Sequence, residues 1–159
     1  FHDDCVARRE GRVAELPAAR PKKAVPRRGA RCAVILHQGA VLLERRPPAG
    51  IWGGLLALPE LPAEADDAQA WSARRFGLAT AAAEPLAPLT HAFTHFVLEL
   101  RPLLLHAHSI HGLADDGALC WLPLGAHAEA ALPAPVRRIH DELARPGLFG
   151  EGMAAPRSI

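Results

Sequence analysis

The chain has 159 residues, half of them hydrophobic and 22% charged, which suits one folded domain with a buried core and excludes a disordered chain. No apolar run approaches the roughly 20 residues of a membrane span and no signal-peptide pattern opens the chain, so no membrane partner is expected. The net charge of +1 divides unevenly, +5 over residues 1–31 and −4 over residues 32–159, so the body lacks the broad positive field that carries non-specific nucleic-acid affinity.

Residues 1–28 open with helix-compatible sequence and become rich in Pro, Lys and Arg from Leu16 onward, the composition of an extended linker. From Arg31 the texture changes. RCAVILH and AVLLERR are β-rich runs separated by Gln38-Gly39, which predicts a tight hairpin. RRPPAGIWGG is a loop broken by Pro and Gly, and LLALPEL is a candidate strand. Asp66 and Asp67 stand where a helix cap and first turn belong, ahead of AQAWSARRF, and Gly77 ends that helix. From Phe96 to Arg101 the alternation is strict, with Phe96, Leu98 and Leu100 on one face and Val97, Glu99 and Arg101 on the other. ALCWLPL is a further strand, and PAPVRRIHDELA a closing helix with proline near its start and Pro146-Gly147 beyond its end. The order predicts an α+β domain over residues 29–147, a mixed or antiparallel sheet with helices packed on it, and a flexible tail over 148–159.

Three groups of residues stand out. HAFTHF places His91, Phe93, Thr94 and His95 at the mouth of an apolar strand, either as a binding site or with Phe93 plugging the core edge and His95 merely exposed. HAHSIH offers His106, His108 and His111 between a strand end and a loop, a metal-binding pattern with no interleaved carboxylate. Cys5, Cys32 and Cys120 form neither an even disulfide framework nor a CxxC pair, which points to the reducing cytoplasm. Trp52 in GIWGG is expected to pack under its loop.

Taken together, LLERRPPAGIWGGLLALPE, LTHAFTHFVLEL and WLPL…LPAPVRRIHDEL resemble the C-terminal domain of adenine-specific DNA glycosylases of the MutY type, over about residues 27–143. Those enzymes remove adenine mispaired with 8-oxoguanine. The resemblance implies a Nudix-like mixed sheet flanked by helices that reads 8-oxoguanine in double-stranded DNA. It implies a monomer, with the chemistry carried by an N-terminal catalytic domain and none performed by this fragment alone. In that family a Phe-Ser-His loop lies against the lesion, and Phe93, Thr94 and His95 match it, with Thr in place of Ser. His91 would stabilise the loop. Lys22, Lys23, Arg27 and Arg28 would contact backbone phosphates, or serve only as a soluble linker.

The same resemblance makes residues 1–28 the end of the catalytic domain and an interdomain linker. Cys5 then becomes the fourth ligand of a [4Fe–4S] cluster in the intact protein, with no cofactor held by this fragment. Nudix hydrolases carry glutamates that hold divalent metal on the helix REUxEExGU. Aligned on Gly77-Leu78, the paired glutamates become Arg74 and Arg75, which repel a cation. These arginines would touch a phosphate or form a solvated helix face. Two rivals remain at this level: an active Nudix pyrophosphohydrolase on free nucleotides, and a protein-interaction module that docks through the basic linker.

Overall fold

The computed structural model describes residues 24–111, 117–126 and 130–145. Cys5, Lys22, Lys23, Pro146-Gly147 and the tail lie outside them. In chain order the elements are β1 (Arg27–His37), β2 (Ala40–Arg45), β3 (Leu56–Ala57), β4 (Glu60–Leu61), α1 (Ala68–Phe76), β5 (Leu78–Thr80), β6 (Glu84–Pro85), β7 (Leu89–Ala92), β8 (Val97–Ile110), β9 (Leu119–Pro123) and α2 (Ala134–Leu143). The sheet is mixed. β8 runs parallel to β1 through ten residue pairs, from Arg27 beside Val97 to Leu36 beside His106. The other pairings are antiparallel, including β2 with β9 and β7 with β8.

Local sequence explains most boundaries. Gln38 and Gly39 both take positive φ, 46° and 76°, so a two-residue turn matched to the strand twist joins β1 to β2. LLALPEL forms two short strands rather than one, because Pro59 between them has no N–H to give a ladder. Its carbonyl instead accepts from the Ala33 N–H at 2.9 Å. In α1 the Asp67 carboxylate accepts from the N–H groups of Gln69 and Ala70 at 2.9 and 3.0 Å, and Gly77 closes the helix at φ 66°. Asp66 makes no cap.

β8 continues nine residues beyond Arg101, where the strict alternation stops. Past that point both faces of the strand are covered, so Leu104 and Leu105 are each almost fully buried and the sequence no longer alternates. The HAHSIH histidines His106 and His108 therefore sit within the strand, not beyond its end. β1 likewise starts at Arg27, so Arg27 and Arg28 belong to the sheet rather than to the linker.

Three layers result. On one face Cys32, Val34, Leu43, Leu98, Leu100 and Leu104 pack with Val136, Ile139 and Leu143 of α2. On the other, Ala33, Ile35, Leu42 and Leu105 pack with Ala68, Trp71 and Phe76 of α1. Trp71 and Phe76 meet edge to face at 5.3 Å. No helix among the described residues is long and apolar enough to cross a membrane. Because the cap bonds belong to Asp67 alone, Asp67→Ala should cost about 1 kcal/mol in urea unfolding, while Asp66→Ala should stay within about 0.5 kcal/mol of the parent.

Candidate functional site

The β7–β8 hairpin sets the geometry. Ala92 lies opposite Val97, and the Phe93 N–H donates to the Phe96 carbonyl at 2.8 Å, which leaves Thr94 and His95 as the two residues of the tip. Both are exposed. The closing positions of such a tip are cross-strand neighbours, and here both are phenylalanine. Their rings stack at 4.6 Å, 21° apart. His91 meets Phe93 edge-on at 4.7 Å, and Trp52 lies 6.0 Å from His91 and 6.1 Å from Phe93. Phe93 thus has one face taken by Phe96 and remains half-buried, as does His91 of β7 beside it.

Trp52 reaches this cluster from the loop before β3, and its backbone is in the left-handed region at φ 57°. A bulky residue seldom holds that conformation without compensation from its surroundings. Gly53 follows, where an added Cβ would lie 2.3 Å from the Pro48 carbonyl oxygen. The loop is wound tightly and presents the indole under the hairpin, where it packs against the α2-side core.

Arg28 completes the aromatic group: its guanidinium carbon sits 4.6 Å from the centre of the Phe96 ring. Two contributors were not evident from sequence. The sequence sets Phe96 at the strand mouth and Arg28 among phosphate contacts or linker charges, with nothing to join the two. The signal for the first was available, since aromatics three apart around a two-residue tip meet across it. The second depends on strand pairing between residues 70 positions apart, which no local pattern encodes.

Beside this cluster lies a pocket lined by Trp52, Cys32, Leu98, Leu100, Arg46 and Glu60, among others, with a free volume of about 60 Å³. That is well under the roughly 150 Å³ of an enclosed apolar cavity that holds benzene. Arg46 Nη1 donates to Glu60 Oε2 at 3.2 Å along this lining. Cys32 is 5% exposed; burial, with a smaller push from Glu60, raises its thiol from 9.0 to about 12. It is therefore a packing residue and neither a nucleophile nor a thiolate ligand.

Helix α1 presents arginines where the REUxEExGU pattern of the resemblance has paired glutamates. Arg75 pairs with Glu44 of β2 through Nη2 and Oε1, and its guanidinium lies 5.1 Å from the centre of the Phe76 ring. Arg74 is exposed. Among the described residues, no three His, Cys, Asp or Glu side chains gather as a metal site. His111 Nε2 meets Ser109 Oγ at 2.8 Å, and His108 is exposed.

A three-layer α/β/α core around a mixed sheet, with its Gly-closed helix between β4 and β5, defines the class. Residues 31–142 match the NUDIX domain family, and the chain belongs to it. It is also similar, at 24% identity over 138 residues, to the adenine DNA glycosylase of Buchnera aphidicola subsp. Acyrthosiphon pisum (strain APS). That alignment covers 86% of this chain and 39% of the glycosylase, so the chain spans about two fifths of that relative. Among solved structures, the C-terminal domain of mouse MUTYH, in complex with human PCNA, superposes with a TM-score of 0.56 at 19% identity, covering 70% of this chain and 83% of that one. A MutT NUDIX hydrolase from Burkholderia pseudomallei gives a TM-score of 0.52 at 22% identity, covering 75% and 98%. The chain is thus a distant homologue of the C-terminal domain of adenine DNA glycosylases over most of its length.

The Cys32 environment yields a pH prediction. Well below pH 9 the thiol is neutral in folded and unfolded chains alike. As pH rises further, only the unfolded chain releases the proton, so folding stability should fall by about 1.4 kcal/mol per pH unit until the folded thiol titrates near 12. The chain has no tyrosine to mask this window. Urea titrations between pH 8 and 11 should show the decline, and Cys32→Ala should flatten it.

Proposed function

We propose that this chain is the part of an adenine DNA glycosylase that recognises 8-oxoguanine opposite adenine in duplex DNA. The observation that carries the reading is the hydroxyl-bearing Thr94 exposed at the tip of the β7–β8 hairpin, within a Phe-Thr-His run that resembles the Phe-Ser-His loop of MutY-type glycosylases. Guanine presents N7 as an acceptor, whereas 8-oxoguanine presents N7–H as a donor and a new carbonyl at position 8. A hydroxyl can accept from that N7–H and donate to an oxygen, so one side chain addresses both changes. The threonine methyl restricts χ1 relative to serine and narrows the usable geometry.

The tip reads a base edge from outside, as the exposure of Thr94 and His95 allows. His95, exposed beside Thr94, supplies a phosphate or base-edge contact, and Phe93 supports the tip while offering its open edge to the base or its sugar. Lys22, Lys23 and Arg27 contact backbone phosphates as the basic segment approaches the sheet. Adenine excision and the [4Fe–4S] cluster, with Cys5 as its last ligand, belong to the catalytic domain; Cys32, with its thiol held neutral, is unsuited to join them. A single base-edge contact discriminates by about 1–3 kcal/mol, too little to hold DNA alone. Joined to a DNA-clamping domain it acts at high effective concentration, which accommodates the acidic body. Arg75 pairing with Glu44 supports this reading over metal-dependent pyrophosphate hydrolysis, because a fixed cation occupies the helix face that such chemistry gives to carboxylates.

The test compares adenine excision opposite 8-oxoguanine and opposite guanine by the intact glycosylase. Thr94→Ala should lower the preference for the oxidised partner about tenfold with basal excision kept, and Thr94→Ser should retain it. Equal losses on both duplexes would assign Thr94 to folding, and Mg²⁺-dependent cleavage of nucleoside triphosphates by the unaltered chain would favour the hydrolase.

A further inference from the structure

Arg27 and Arg28 are neighbours in sequence, but the strand sends them to opposite faces of the sheet. Arg28 is paired with Leu98, a residue of the α2-side core, and its guanidinium lies over the Phe96 ring at 4.6 Å. Phe96 in turn stacks on Phe93, and these two residues close the tip that bears Thr94. The chain is held at this point from the backbone as well, since the Val97 N–H donates to the Pro26 carbonyl at 2.9 Å. His91 and Trp52 thus pack beside Phe93, and a cation lies over Phe96.

From this arrangement we infer that Arg28 is a positioning residue for the lesion-reading tip, clamping Phe96 against Phe93, and not one of the phosphate contacts. A guanidinium over an aromatic face is attracted by the ring quadrupole and also covers it from water. Both effects favour the closed pair of phenylalanines, and with it the orientation of the hydroxyl that Thr94 presents. The clamp itself stands on the geometry; its consequence for lesion preference rests on the function proposed above.

The Phe93 amide gives a readout that needs no DNA, because its N–H is the one that closes the tip. In the full chain, Arg28→Gln should speed exchange of that amide by about two- to fivefold, with the core amides of Val34 and Leu104 unchanged. Arg28→Lys, which retains a cation, should restore most of the protection. In the intact glycosylase, Arg28→Gln should lower the preference for 8-oxoguanine over guanine by a similar factor while leaving excision opposite guanine and its salt dependence unaltered. Unchanged Phe93 exchange would overturn the clamp. Faster exchange with unchanged preference would overturn its role in reading. A uniform loss on both duplexes with a shallower salt dependence would make Arg28 a phosphate contact instead. If the unaltered enzyme shows no preference at all, the lesion-reading proposal falls, and the exchange measurement still decides the clamp.

Discussion

The parallel pairing of β1 with β8 governs the rest of the molecule. It joins the first described strand to one of the last, and ten consecutive pairs fix its register. A slip of one residue would turn every side chain to the other face. Cys32 and Val34 would leave the α2 side for the α1 side, and Arg27 would replace Arg28 beside the aromatic rings. Because both faces are buried between α1 and α2, such a slip is strongly opposed. The same register that builds the core also sets a basic strand end next to the hairpin tip, so core formation and site assembly are one event.

Helix α1 separates packing from chemistry. The helix keeps every packing signal: Asp67 caps it, Trp71 and Phe76 bury its inner face, and Gly77 ends it. Its outer face carries Arg74 and Arg75 where the family's hydrolases carry glutamates. An exposed ion pair such as Arg75 with Glu44 contributes at most about 1 kcal/mol, so it does not explain why the helix persists. The burial does. Structural and chemical demands on one helix are separable, and on this scaffold the features suited to recognition lie at the end of the sheet.

The fold was legible wherever one local rule acted alone. Gln38-Gly39 announced its turn, Asp67 its helix, and Phe96 to Arg101 its strand. The rest of β8 was not legible, because burial on both faces erases alternation around Leu104 and Leu105. The short strands β5 to β7 owe their pairing to β8 rather than to their own composition. At the site, the exposed position of Thr94 followed from its place at a strand mouth. The contact between Arg28 and Phe96 did not, since it exists only after distant strands align. Trp52 was legible as a packed side chain but not as a left-handed backbone, which bulky residues adopt only where the surroundings compel it.

That left-handed tryptophan and the glycine after it tie three positions of one loop together. Gly53 admits no side chain while the Pro48 carbonyl stays where it is, and Trp52 holds its φ only while Gly53 permits the tight turn beside it. A side chain at 53 is therefore admitted only if the backbone at 48 moves away with it.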